Sequence, residues 1–134
     1  MSDTFLTAVG TFGVHLLAGV VLMIVFLVLY MRATPHEEVK LIRDGNTAAA
    51  VGLAGAILGF AIALSRSISI SSGIGETIVW GLIALLVQVG GHYLVRLMFP
   101  DFQSEIEKGS MPAAVILATT GVALGLLNAA SMTP

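Results

Sequence analysis

The chain has 134 residues, of which 57% are hydrophobic and 10% charged, with a formal net charge of −2 and no cysteine. A soluble domain carries about 25% charged residues, so this composition leaves too little polar surface for one. Without cysteine there is no disulfide, thiolate metal site or thiol nucleophile, and the slight negative charge gives no footprint for nucleic acid.

The charged residues are clustered. They leave four charge-free runs, at 4–31, 45–65, 77–95 and 109–134. A helix crossing the hydrocarbon core needs roughly 20 mostly apolar residues. Each run therefore suits one crossing, and the predicted spans are 8–31, 47–65, 77–98 and 111–131. A soluble bundle would need polar outer faces, which these runs lack. The first run has only Asp3 ahead of it, no basic residue, and an apolar part longer than a secretory signal of about 7–15 residues; it reads as a retained helix.

The connections differ in charge. Arg32, Lys40 and Arg43 belong to the first loop (32–46), and Arg96 and Lys108 lie at or in the third (99–110). The second loop (66–76) has Arg66 alone. Basic residues concentrate on the cytoplasmic side, so the first and third loops are expected in the cytoplasm, with both termini outside. In the first loop, "TPHEE" suggests a capping box, with Thr34 as N-cap, Pro35 opening the helix and Glu37 closing the box. A short amphipathic surface helix is expected in each inner loop, turning Val39 and Ile42, or Phe102 and Ile106, to the lipid. "HEE" at 36–38 lacks the second histidine of a zinc motif, since Lys40 stands at its place, so no metal is expected. The outer loop, "SRSISISSGIGE", alternates Ser with Ile, which predicts a short extended or re-entrant segment. Arg66 there is a candidate for an anion or lipid headgroup.

"IRDGNTAAAV" at 42–51 is echoed by "IEKGSMPAAV" at 106–115, a shift of 64 residues. The same shift lays Arg32 on Arg96, Gly45 on Gly109 and the first two spans on the last two. The expected unit is a helical hairpin used twice, about 8–65 and about 77–131, within one transmembrane domain. Each unit has two crossings, so the copies point the same way and form a parallel repeat.

These residues resemble the YjfL-like bacterial inner-membrane proteins, the domain-of-unknown-function family numbered three hundred and fifty. The resemblance rests on "GNTAAA" at 45–50, on Gln88, and on "GLLNAASM" at 125–132, and it spans nearly the whole chain. It implies an inner-membrane location and this architecture, and no activity. The second copy reads Gly109-Ser110 where the family often repeats Gly-Asn, so any task of the Asn46 amide would be missing there.

Polar groups at membrane depth need partners that lipid does not offer. Gln88 lies near the middle of the third span, with His92 one turn later on the same face. Thr119 and Thr120 of the fourth span are expected at similar depth. His15 and Asn128 are expected together in the outer layer. Each of these groups either lines a wet pathway or bonds helices together. Gly52, Gly55 and Gly59 in the second span, and Gly121 and Gly125 in the fourth, have the spacing that lets helices approach closely, within the chain or between subunits.

No nucleophile, base and acid come together, so no enzyme and no cofactor are implied. The expected fold class is an all-α membrane protein of four transmembrane helices, built as two tandem parallel-repeat hairpins. The expected function is an oligomeric channel or transporter for ions or small solutes, with Gln88, His92, Thr119 and Thr120 along its path. The alternative is a membrane scaffold or envelope-stress component, docking a cytoplasmic partner at 32–46 and 99–110, or lipid. The expected partners are the bilayer and further copies of the chain.

Overall fold

The computed structural model describes residues 2–34 and 38–134. They form six helices: α1 (Asp3–Ala33), α2 (Glu38–Arg43), α3 (Thr47–Ile70), α4 (Ile74–Met98), α5 (Phe102–Glu107) and α6 (Met111–Ser131). Four of these, α1, α3, α4 and α6, are long and apolar enough to cross a membrane, and the chain is an integral membrane protein. Pro35, His36 and Glu37, and with them the expected capping box and the first two residues of "HEE", lie outside the described residues. Thr34 ends α1, its backbone N–H and hydroxyl both donating to the Tyr30 carbonyl at 3.1 and 2.8 Å.

Three of the four spanning helices, α1, α3 and α4, are longer than hydropathy alone indicates. α1 starts at Asp3 because the Ser2 hydroxyl caps the Phe5 N–H at 3.3 Å and Asp3 complements the positive end of the helix. The expected extended segment at 66–76 is not extended: α3 continues through Ile70, and only residues 71–73 connect it to α4. Serine makes this possible. Ser65, Ser67 and Ser69 bond back to the carbonyls of Ile62, Leu64 and Arg66 at 2.8–3.0 Å, and Ser71 bonds back to Ser67. Their polar groups are thus satisfied within a helix, and the alternation with isoleucine carries no strand signal. α4 begins at Ile74, not 77, because the Glu76 carboxylate accepts the Ser72 N–H at 2.7 Å across the turn.

α3 and α6 form the centre of the bundle, running parallel with α6 residues about 64 positions on from their α3 neighbours. Gly55 lies on Ala118, and Gly59 lies between Gly121 and Gly125. A Cβ on Gly55, Gly59 or Gly125 would overlap the facing backbone, so only glycine permits this approach. α4 packs against α3, α6 and α1. α1 buries a stripe, Gly19, Leu22, Phe26, Tyr30 and Ala33, with Met23, Leu27 and Met31 partly packed beside it, and exposes most of its remaining surface.

The two short helices end alike. Gly45 and Gly109 have φ of 89° and 86°, the left-handed conformation that favours glycine. The N–H of Asn46 reaches the Leu41 carbonyl at 2.9 Å and that of Gly45 reaches Ile42 at 3.0 Å. The N–H groups of Ser110 and Gly109 bond Glu105 and Ile106, both at 2.9 Å. This paired pattern stops each helix and satisfies its last carbonyls. Ile106 does not face lipid. It is 2% exposed and fills the hollow left by Ala48, Ala49, Ala113 and Ala114, whose small side chains cannot close the space between α3 and α6. Ile42 and Phe102 pack partly against the same cluster, while Val39 is exposed.

Asn46 ties the two junctions together. Its Oδ1 caps the Ala49 N–H at 3.0 Å, and its Nδ2 donates to the carbonyls of Ile106 and Glu107 at 2.9 and 3.2 Å. Ser110 makes no side-chain cap bond. Asn46→Ala should therefore destabilise the folded chain by about 1–3 kcal/mol, whereas Ser110→Ala should be near neutral; thermal unfolding of both variants in the same detergent measures the contrast.

Candidate functional site: a small cavity at Gln88 and His92

α4 carries Gln88 and His92 inward on one face. Both line a cavity with Tyr30 and Phe26 of α1, Gly52 and Ala56 of α3, and Thr120 and Gly121 of α6. Its free volume is about 30 Å³, enough for one or two waters, since one needs roughly 10–15 Å³ on this measure. Gln88 is buried, and its Nε2 donates a long hydrogen bond, 3.4 Å, to the Gly121 carbonyl. That carbonyl is reachable because Gly59 offers no side chain: a Cβ there would lie 2.9 Å from the Gln88 Nε2. The Gln88 Oε1 is buried with no hydrogen-bond partner among the described residues. An acceptor left in this state costs about 1–3 kcal/mol, so the cavity suits a donor such as water or a positive charge.

The other expected polar residues are distributed differently. Asn128 is buried one turn away and donates to the Ala84 carbonyl of α4 at 3.1 Å. Gln88 and Asn128 therefore each bond the facing helix backbone, in opposite directions across α4 and α6. His15 lies in the N-terminal half of α1. Its Nδ1 contacts the Thr11 carbonyl at 2.8 Å, and it lines an open notch with Ser71 and Ser72. Thr120 donates to the Ile116 carbonyl at 2.8 Å, and Thr119 lies exposed on the outer surface of α6. Arg66 is exposed and reaches toward the Met132 carbonyl at 3.5 Å, at the negative end of α6, where a cation is favourable. Among the described residues no three His, Asp or Glu side chains gather as a metal ion would require.

Tyr30 was not singled out by sequence, and Glu38 was weighed only as part of the "HEE" motif. The Tyr30 ring lies 4.4 Å from the His92 ring, tilted by 46°, and 5.9 Å from Phe26. Glu38, in the first turn of α2, is 6% exposed and hydrogen-bonds the Thr34 hydroxyl. It also lies within electrostatic reach of Tyr30. Glu38 itself is not among the residues lining the cavity. The available signal was the four-residue spacing of Tyr30, Thr34 and Glu38.

Burial pushes the Glu38 carboxyl up to about 7, and the Thr34 hydrogen bond only partly opposes this. The folded protein thus holds a proton that the unfolded chain releases near the ordinary carboxylate value of 4.5. The contribution to stability is full below that value and is lost as pH rises through about 7. The melting temperature in detergent should fall as pH is raised across this window, and Glu38→Gln should flatten that slope.

The sequence matches the family model described as Domain of Unknown Function (DUF350) over residues 4–132. It is 36% identical over 122 residues to the UPF0719 inner membrane protein YjfL of Escherichia coli K12, covering 91% of this chain and 92% of that protein. It is 25% identical over 134 residues to the UPF0719 transmembrane protein YshE of Bacillus subtilis 168, covering 98% of this chain and all of that protein. No solved structure matches. A family match over nearly the full length, with a four-span helical fold, places this chain in the DUF350 family of membrane proteins.

Proposed function

We propose that this protein is the subunit of a small oligomeric channel or transporter for ions or small solutes, with its polar path at the Gln88 cavity. The buried, unsatisfied Gln88 carbonyl oxygen carries this reading. A purely structural amide would be expected to satisfy both of its ends on the neighbouring helices, as polar groups in hydrocarbon find partners inside the protein. The cavity has room for water alone, and the glycine contact of α3 with α6 closes the middle of the bundle. Anything larger than water would need a path completed by neighbouring copies.

The architecture is read as two copies of a helix, short helix, helix unit related by an axis along the membrane normal. The matched terminations at Gly45 and Gly109, and the parallel packing of α3 on α6, support this. The side carrying α2 and α5 has five basic residues, Arg32, Lys40, Arg43, Arg96 and Lys108, against Arg66 opposite. The positive-inside rule then puts that side in the cytoplasm and both termini outside. A scaffold role that docks a partner on α2 and α5 is favoured instead by the exposed Lys40, Arg43 and Lys108 there.

Ion and small-solute flux into liposomes bearing the purified protein separates the two. A channel or transporter gives flux above empty liposomes in the wild type that Gln88→Leu abolishes while remaining folded and inserted. Equal flux in both variants would refute a path at Gln88, and a scaffold would show only altered assembly or stability.

A further inference from the structure

We propose that the cleft between the last turn of α4 and α5 binds the headgroup of an anionic phospholipid, with Arg96 holding the phosphate. Tyr93, Arg96 and Leu97 of α4, Pro100 of the turn and Gln103 of α5 line this cleft, and its free volume is about 370 Å³. It shares no lining residue with the Gln88 cavity. One water needs roughly 10–15 Å³ on this measure, so the cleft admits a group far larger than water. α4 is a membrane span, and Arg96 stands in its last turn. The apolar side chains beside it are bare: Leu97 is 80% exposed and Met98 62%. In a bilayer acyl chains cover such residues, so the cleft opens where hydrocarbon meets headgroups. Basic pockets at that level bind lipid headgroups.

Arg96 is held in place there. Its guanidinium carbon lies 5.6 Å from the centre of the Tyr93 ring, within the range of a cation–π contact. Among the described residues it makes no ion pair and no hydrogen bond, so its N–H groups remain available. A guanidinium offers them as a planar fork that matches phosphate. No carboxylate lines the cleft. Asp101, next along the chain, is exposed, and Glu105 lies 3.9 Å from Lys108. The cleft therefore presents one positive charge, complementary to a ligand of net negative charge.

Gln103 indicates what else the ligand carries. It is 9% exposed, and its Oε1 is buried with no hydrogen-bond partner among the described residues. An acceptor left in that state is costly, and a headgroup hydroxyl supplies the donor it lacks. Phosphate beside hydroxyl, with a net negative charge, is the headgroup chemistry of phosphatidylglycerol. Phosphatidylcholine has the phosphate but neither the donor nor the net charge.

The other junction lacks these features. A shift of 64 residues lays Arg96 on Arg32, Tyr93 on Leu29 and Gln103 on Val39. Arg32 is exposed, with no ring three positions before it and no amide on the short helix that follows. An arginine that merely reaches from a span end toward water needs no more than Arg32 has. The ring and the buried amide at Arg96 are additions to that.

The test measures lipid binding to the full chain in a neutral detergent by native mass spectrometry. The probes are phosphatidylglycerol and phosphatidylcholine of the same acyl chains, and inorganic phosphate as a competitor. The proteins are wild type, Arg96→Ala, Arg96→Lys, Gln103→Leu and Arg32→Ala. Wild type should bind phosphatidylglycerol more tightly than phosphatidylcholine. Arg96→Ala should weaken phosphatidylglycerol binding by about tenfold, as loss of a hydrogen bond to a charged group does. Arg96→Lys keeps the charge without the fork and should fall between, which also serves if Arg96→Ala does not fold. Gln103→Leu, which keeps the charge, should bring phosphatidylglycerol binding closer to that of phosphatidylcholine. Arg32→Ala should change binding by less than about twofold, since an exposed charge is screened by salt. Equal weakening by Arg96→Ala and Arg32→Ala would mean diffuse attraction and overturn the proposal, as would phosphatidylcholine bound as tightly as phosphatidylglycerol. Displacement of the lipid by millimolar inorganic phosphate would assign the cleft to a soluble phosphate and overturn the lipid site.

Discussion

The contact on which the rest of the structure depends is backbone against backbone, between α3 and α6. Lipid gives helices no hydrophobic reason to associate, so they associate through close packing and hydrogen bonds. Glycine at 55, 59 and 125 removes the side chains that would hold these two helices apart. The approach does more than pack. It brings the Gly121 carbonyl within reach of Gln88 on α4, and it sets the parallel register in which the alanines opening α3 and α6 face one another across Ile106. The two junctions then lie close enough for the Asn46 amide to bridge from one to the other.

A centre this tight constrains chemistry. α3 and α6 leave no passage between them, so polar groups collect at the side of the contact, where α4 and α1 complete the wall. There the amides of Gln88 and Asn128 link α4 and α6 through backbone carbonyls, and His92, Tyr30 and Glu38 continue the polar groups toward the short helices. The same small residues that make the bundle stable thus limit the cavity to the size of water. The smallness of the site is a consequence of how the fold is held together.

Much of this was legible in the sequence, for identifiable reasons. The four spans were, because a lipid crossing demands a long apolar run and the charges fall between such runs. The ends of α2 and α5 were, because Gly45 and Gly109 stand where a helix stops in a left-handed residue. Gln88 and His92 were candidates, because an amide or imidazole at membrane depth needs a reason. What the sequence withheld was mostly partnership. The glycine spacing fits an approach within the chain as well as one between subunits. Ile106 looked lipid-facing because the alanine hollow it fills exists only once α3 and α6 are side by side. The Ser and Ile alternation at 67–71 pointed to a short extended or re-entrant segment because hydropathy periodicity ignores hydroxyls that bond back to their own helix. Glu38 was weighed only as part of the "HEE" metal motif, because its burial is a tertiary property that no local pattern records.

The close contact of α3 with α6 is tested most directly by the sign of one substitution. Alanine is a better helix former than glycine by about 1 kcal/mol, so Gly→Ala stabilises a helix wherever there is room for a methyl group. Gly90 has open space around its Cβ position, whereas Gly59 faces the Gly121 backbone and the Gln88 amide. Thermal unfolding of Gly59→Ala and Gly90→Ala in one detergent should give a clear loss for the first and a small gain or no change for the second. A Gly59→Ala protein that melts at or above the wild type would mean that the two helices do not touch there, and the account built on their contact would fail.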